Sequence, residues 1–358
     1  MNEIKMKSIG IIGAGLMGRV VAINAINNGY QTTLFEKKDL SILDSASRTA
    51  AGMISPIAEV ENESPKFYEW GKYSLSRWSD ICSQINMKDG FYRNGSLLVS
   101  FKQDQASFDD FDREVNSKLQ LSKDEFLYLN STDLSNIEPQ LNSEFSNGIF
   151  LPNEAHICCD TFIQHSTTFL KNNLYNLFEK VEAYSENDEY IHCAGQNFNF
   201  DWIVDCRGLA AQNNIENLHG IRGETIHLHC KDVCLNRPVR LMHPRYQIYI
   251  VPRKDHKFVI GATSIISEDF SNISVQSTLE LLSAAYSVSP SFAEARILEA
   301  RVNCRPTLSH HMPTIQRRHQ TIYVNGLYRH GYLLAPFLGD QLFDIIRTGT
   351  SKLYENYH

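Results

Sequence analysis

Two periods of hydrophobic spacing share this chain, and its first 36 residues show both. Ser8 to Ile12 is a short apolar, β-branched run that predicts a buried strand. RVVAINAINNGY, from Arg19, has helical spacing that stops at Gly29, and QTTLFEK then predicts a second strand with Glu36 at its end. KFYEWGKYSLSRWSDI (66–81) predicts an amphipathic helix whose stripe Tyr68, Trp70, Leu75 and Trp78 faces a core. Later segments alternate with period two. FYRNGSLLVSF (91–101) reads as a hairpin turning at Asn94-Gly95, and KVEAYSENDEYIHCAGQNFNF (180–200) alternates like another. NFDWIVDCRGLA (199–210) predicts a strand and a turn, while RGETIHLHC, YQIYIVPR and KFVIGATS predict further strands. Residues 105–145 and 275–300 are polar with helical spacing. The fold class is mixed α/β (α+β): a Rossmann-type domain followed by, and interleaved with, a mainly antiparallel β domain.

Composition narrows the function classes. The 358 residues are 42% hydrophobic and 21% charged, enough for two cores, and no repeats or low-complexity stretches occur. Acids and bases are interspersed around a net charge of −7, and no basic stripe points to nucleic acid. Arg237, Arg240 and Arg245 read as a solvated strand edge. Eight cysteines occur without a CxxC; the adjacent Cys158 and Cys159 suit neither an ordinary bridge nor a zinc knuckle. They read as buried thiols in a reducing compartment. Lys5 and Lys7 ahead of IGIIGAGLMG imitate a signal peptide, but Arg19 interrupts the apolar run, and no stretch reaches the roughly 18 apolar residues of a membrane span. The expectation is a cytoplasmic protein with no membrane span.

Between the first strand and the first helix lies Gly13-Ala14-Gly15-Leu16-Met17-Gly18, with Glu36 18 residues beyond Gly18. Strand, glycine turn, helix, strand and acid in this order are the fingerprint of dinucleotide binding. Gly13 makes the tight turn, Gly15 lets the backbone approach a pyrophosphate drawn to the helix N-terminus, and Gly18 permits close helix–strand packing. Glu36 is placed to accept both hydroxyls of an adenosine ribose. The motif leaves NAD and FAD both open. DSASRTAAGMISP (44–56), including Ala51, Gly52 and Met53, has the small residues that let a loop lie against a flat ligand.

The blocks IIGAGLMG…LFEK, SRTAAGM, VDCRGLAA, GIRGE, YIVPR, FVIGAT, Arg305-Pro306 and NGLYRHGYLLAP, in this order and spacing, resemble the FAD-dependent amine oxidases related to D-amino acid oxidase. Within these they are most similar to the glycine oxidases of the thiamin (thiazole) pathway. The resemblance implies noncovalent FAD, held in a discontinuous domain of residues 1–85, 145–222 and 303–358. Residues 86–144 and 223–302 would form the substrate domain. It implies that Val181, Arg207 and Gly208 lie near the adenine half, and that Arg329, His330, Gly331 and Leu333 bring a helix N-terminus to the flavin. It further implies oxidative deamination of glycine and other small amino acids, hydride transfer to the flavin, peroxide on reoxidation by oxygen, and a homo-oligomer.

For the substrate, Arg305 aligns with the family's carboxylate-binding arginine, and Pro306 restricts it to extended backbone. A guanidinium matches a carboxylate bidentately. Tyr249 aligns with the family's active-site tyrosine. Gln247, Tyr249 and Val251 share a strand face, so Gln247 also reaches the pocket, where some glycine oxidases carry histidine. Arg329 aligns with a position whose backbone carbonyl accepts from the substrate amine; Met53 and Glu59 align with pocket and entrance residues. A D-amino acid or sarcosine dehydrogenase of the same fold, using another electron acceptor, and a flavin-binding sensor without turnover stay open. His227 and His229 share a strand face without a third metal ligand, and His310-His311 reads as a loop pair without a partner. No metal site is expected.

Overall fold

A computed structural model of the chain describes residues 6–41, 44–244 and 248–351. Lys5, Arg245 and Gln247 lie outside the described residues. Strand Ser8–Ile12 is central to a six-stranded sheet: it pairs in parallel with Gln31–Glu36 on one side and Trp202–Asp205 on the other. Asn176–Glu179 extends the sheet beyond Gln31–Glu36, and Thr321–Asn325 with antiparallel Thr314–Arg318 extends it past Trp202–Asp205. The strands next to the helices are nearly continuous apolar runs, as a sheet covered on both faces requires.

Helix Leu16–Asn27 follows the glycine turn and packs on the C-terminal helix Gly331–Thr348. The latter also packs on Lys66–Gln84. Tyr68, Leu75 and Trp78 of the predicted stripe are buried there, and Trp70 stacks on Phe337 with ring centres 5.1 Å apart.

A second, eight-stranded sheet is antiparallel except where Val239–Leu241 runs parallel to Ser96–Phe101. Its longest pairing joins His219–His229 to Arg296–Thr307. Phe145–Leu151 belongs to the eight-stranded sheet, between Ser96–Phe101 and Leu127–Asn130.

FYRNGSLLVSF is not a hairpin. Phe91–Tyr92 pairs with Ala155–Ile157 in a small three-stranded sheet, whereas Ser96–Phe101 enters the eight-stranded one. Asn94-Gly95 has the local chemistry of a hairpin turn, and Gly95 does adopt φ +75°, but its N–H donates to the Glu154 carbonyl at the crossing between sheets. The segment after Lys180 forms a three-stranded meander, Ala183–Glu186, Tyr190–Cys193 and Gln196–Phe198. All eight cysteines are free; Cys234 is exposed and Cys158 half-buried, contrary to the expectation that all are buried. No helix of the described residues is long and apolar enough to cross a membrane.

Candidate active site

A cavity of about 1040 Å³ lies between the two sheets. One end is built from backbone. Gly13, at φ +93°, donates its N–H to the Phe35 carbonyl, fixing the turn to the second strand. A Cβ on Gly18 would stand 1.8 Å from the Gly13 carbonyl oxygen, so only glycine lets the helix start this close. Gly18 therefore does not line the cavity; it shapes the turn that does. Gly15 is the opposite case: a Cβ there would meet nothing within 4 Å and would project into open space at the helix N-terminus. Glu36 is buried, with its carboxylate accepting from the N–H groups of Ala14 at 2.6 Å and Lys38 at 2.9 Å. That fixes its orientation and leaves further lone pairs.

Val181, Arg207 and Gly208 also line the cavity, as do Ala51, Gly52 and Met53, of which Ala51 and Met53 pack with Tyr249 and Val251. The Arg207 guanidinium is held by Asp205, with Nε 2.8 Å from Oδ2, and by Asn214. A residue that sequence reading used only against a signal peptide matters structurally. Arg19, fully buried, donates to the carbonyls of Ala14 (2.9 Å) and Leu40 (2.7 Å) and to the hydroxyls of Ser166 and Thr167. Burial lowers its pKa to about 10. It ties the glycine turn to the helix Cys159–Asn173 and to the segment after the second strand. The sequence signal was a lone arginine in an otherwise apolar helix.

The other end is built from charged side chains. Arg305 reaches across the neighbouring strand His219–His229: Nη1 and Nη2 each lie 3.1 Å from the Thr263 carbonyl. A Cβ on Gly223 would come within 2.3 Å of the guanidinium, so Gly223 leaves the space it occupies. No acid pairs with Arg305 among the described residues. Burial, partly offset by Tyr249 and reinforced by Arg329, lowers its pKa. Tyr249 lies against Gly261 of the neighbouring strand, with its hydroxyl unbonded among the described residues, and burial first of all raises its pKa.

Glu59 sits beside this pair. Arg329 Nε is 3.4 Å, His330 Nδ1 3.2 Å and Arg240 Nη2 3.8 Å from its oxygens. Burial opposes its ionisation, but Arg329, His330 and Arg240 outweigh that and hold its pKa below the carboxylate range. Arg240 is thus no solvated edge residue: it is 4% exposed and faces the site. A place on a strand was legible, but which face the cavity lies on was not. Arg237 is likewise paired, with Glu138. The C-terminal helix begins at Gly331, and His330, Gly331 and Leu333 line the cavity with Arg305 and Tyr249. Glu63, which pairs with His330, was missed entirely. Its only sequence signal was a place in an acidic surface-like stretch.

Residues 8–345 match the family model described as FAD dependent oxidoreductase. The chain belongs to that family. The oxidoreductase is 32% identical over 330 residues to a Rhizobium etli protein provisionally named thiamine biosynthesis oxidoreductase ThiO, covering 92% of this chain and 93% of that one. It is 22% identical over 353 residues to the glycine oxidase of Bacillus licheniformis, covering 94% and 92%. The crystal structure of glycine oxidase from Bacillus cereus superposes with a TM-score of 0.83 at 19% identity, covering 98% of this chain and 99% of that one.

The geometry fits the family's cofactor. The open space at Gly15, the free N–H groups at the Leu16–Asn27 helix N-terminus and the oriented Glu36 carboxylate suit an ADP moiety. The cavity then continues to the second helix N-terminus, at Gly331, where positive backbone dipoles favour electron-rich groups. Among the described residues, no group of three or more His, Cys, Asp or Glu could hold a metal ion, and His227 instead approaches Glu299 at 3.8 Å.

Proposed function

We propose that this oxidoreductase oxidises glycine and other small amino acids in the thiazole branch of thiamin biosynthesis. The observation that carries the reading is Arg305: a buried guanidinium, bonded to carbonyls, without an acidic partner among the described residues, beside a free tyrosine hydroxyl in the cavity. A buried unpaired cation is costly, and a substrate carboxylate supplies the missing charge. The names of the relatives point the same way.

When bound, FAD supplies the hydride acceptor, and its reoxidation by oxygen yields hydrogen peroxide. The chain's own residues hold and orient. Gly13, Gly15 and Glu36, with Ala51, Gly52, Val181, Arg207 and Gly208, hold the nucleotide half. Arg305 takes both carboxylate oxygens in one plane, and the Tyr249 hydroxyl donates to the same group. With the carboxylate fixed, the Cα–H has one allowed direction, and orientation of this kind is worth several powers of ten in rate. The Arg329 carbonyl accepts from the amine, Met53 and Glu59 border the substrate, and Gln247 shares the face of Tyr249. The resulting imine hydrolyses to an oxoacid and ammonia.

The thiol of Cys206, next to the glycine turn, is pushed well above its usual pKa by burial and then by Asp205, which supports a noncovalent cofactor. Free cysteines throughout the chain fit a reducing cytoplasm, and the family resemblance implies a homo-oligomer. Anaerobic addition of glycine to the yellow protein should bleach the flavin, and methylamine should not. Equal bleaching by both would remove the carboxylate from the account; no bleaching by glycine would remove glycine. Peroxide formation in air tests oxygen as the acceptor.

A further inference from the structure

The charged cluster behind the substrate anchor is larger than anchoring an amino acid requires. His330 is 0% exposed at its side chain, yet both ring nitrogens contact carboxylates: Nδ1 lies 3.2 Å from Glu59 Oε2, and Nε2 lies 3.0 Å from Glu63 Oε1. Glu59 lines the cavity. Glu63 is 8% exposed, and its Oε1 is 3.7 Å from His311 Nδ1, whose side chain is 48% exposed. The pair His310-His311 therefore does have a partner. Phe67 covers one edge of the His330 ring at 4.7 Å and Tyr328 another at 5.8 Å, so water does not flank it. Tyr328 also stacks on His311, at 4.6 Å, and seats it over Glu63.

We propose that Glu59, His330, Glu63 and His311 form a proton relay from the active cleft to solvent, which removes the proton a substrate ammonium must lose before its Cα–H can leave as hydride. The relay rests on the amino-acid oxidation reading above. An amino acid in neutral water carries an ammonium group, and a cleft filled by cofactor and substrate gives that proton no direct contact with bulk water. The ammonium N–H bond breaks and an O–H bond forms on Glu59. That proton moves to Nδ1 of His330 while the Nε2 proton passes to Glu63, and Glu63 delivers one proton through His311 to water. One proton enters, one leaves, and no electron moves along the chain.

The electrostatics suit this use. Arg329, His330 and Arg240 keep Glu59 ionised against its burial, so it holds a proton only in passing and hands it on to His330. Burial disfavours charge on His330 and so does Arg329, but Glu59 and Glu63 outweigh both and raise its pKa. The Nδ1 contact with Glu59 is close without being aligned as a hydrogen bond, so a small rotation of the ring or the carboxylate completes the path. A buried ion cluster is in general no cheaper for folding than an apolar one, so its presence beside the reacting amine calls for a use.

The test is anaerobic stopped-flow reduction of the FAD-loaded protein by glycine, near neutral pH, at increasing imidazole buffer. Wild-type rates should not depend on buffer concentration. His311→Gln, at the exposed end, should be about tenfold slower in dilute buffer and return toward wild type as imidazole rises, because imidazole replaces the missing carrier. His330→Asn should be about 100-fold slower, without recovery in imidazole, and its rate should rise only at higher pH, where glycine arrives with a neutral amine. Flavin content should match wild type in both. A His311→Gln rate equal to wild type at every buffer concentration overturns the relay, and so does a slow rate that imidazole fails to restore. These readings hold even if His330→Asn does not fold. If the wild type itself is not reduced by glycine, the substrate reading falls instead.

Discussion

The two ends of the cleft are made of different materials. The Gly13–Gly18 end is made of backbone N–H groups, a helix dipole and one oriented carboxylate, all from a stretch that folds on itself within the first 36 residues. The Arg305 end is made of long charged side chains. Glu59, Arg240, Tyr249, Arg305 and Arg329 come from five separate segments, held in register by the eight-stranded sheet and the C-terminal helix. A backbone site tolerates change around it but not a single added atom in its contact surface. A side-chain site yields to an added atom by shifting, but does not survive a lost charge. Substitutions at the two ends should therefore fail in different ways.

The largest effect should come from Gly15→Val. Its side chain fits the unliganded fold, because a Cβ there meets nothing, but fills the space the cofactor needs. We expect colourless, folded, inactive protein; a yellow variant with normal FAD content would show that the pyrophosphate lies elsewhere. Next is Arg305→Ala. Losing a buried bidentate partner should lower kcat/KM for glycine about 100-fold or more at unchanged FAD content. Arg305→Lys should recover only part, since an ammonium cannot hold both oxygens in one plane. If glycine and methylamine suffer equally, Arg305 supports the fold rather than the carboxylate.

Gly223→Ala sharpens the contrast. Its added Cβ would meet the Arg305 guanidinium at 2.3 Å, and that group is the movable end of a side chain. The fold should survive while the anchor shifts, so KM for glycine should rise about tenfold with melting temperature nearly constant. Unchanged kinetics would mean that Arg305 has a second, equally good position. The smallest effect belongs to Tyr249→Phe, the loss of one neutral hydrogen bond, about 0.5–1.5 kcal/mol in kcat/KM. It should appear in KM with the flavin spectrum unaltered, and kinetics identical to wild type would return Tyr249 to the packing residues.

The same contrast explains what was legible in the sequence. The glycine turn could be read from the sequence because strand, turn, helix, strand and acid follow one another within 36 residues, and Gly18 answers a contact as near as Gly13. The paired strands after residue 219 were legible from alternation, and the Tyr68–Trp78 stripe from helical spacing. The Asn94-Gly95 hairpin failed because turn chemistry fixes a local bend and says nothing about which sheet each arm joins. Arg240 was read as a surface residue, and Glu63 was missed, because their partners are far away in sequence. The structural role of Arg19 was not foreseen for the same reason: its hydrogen-bond partners lie as far off as Ser166 and Thr167.

The crossing of the chain between its sheets also limits how such an enzyme can be altered. Strand Ser8–Ile12, strand Ser96–Phe101, strand Trp202–Asp205, strand Ile248–Arg253 and strand Thr321–Asn325 alternate between the six- and eight-stranded sheets, so neither sheet corresponds to a contiguous stretch of the gene. No single recombination or truncation can exchange the substrate half as a cassette. A descendant with a new substrate has to be reached by point changes among residues such as Tyr249, Arg240 and Glu59, while the nucleotide half is inherited intact.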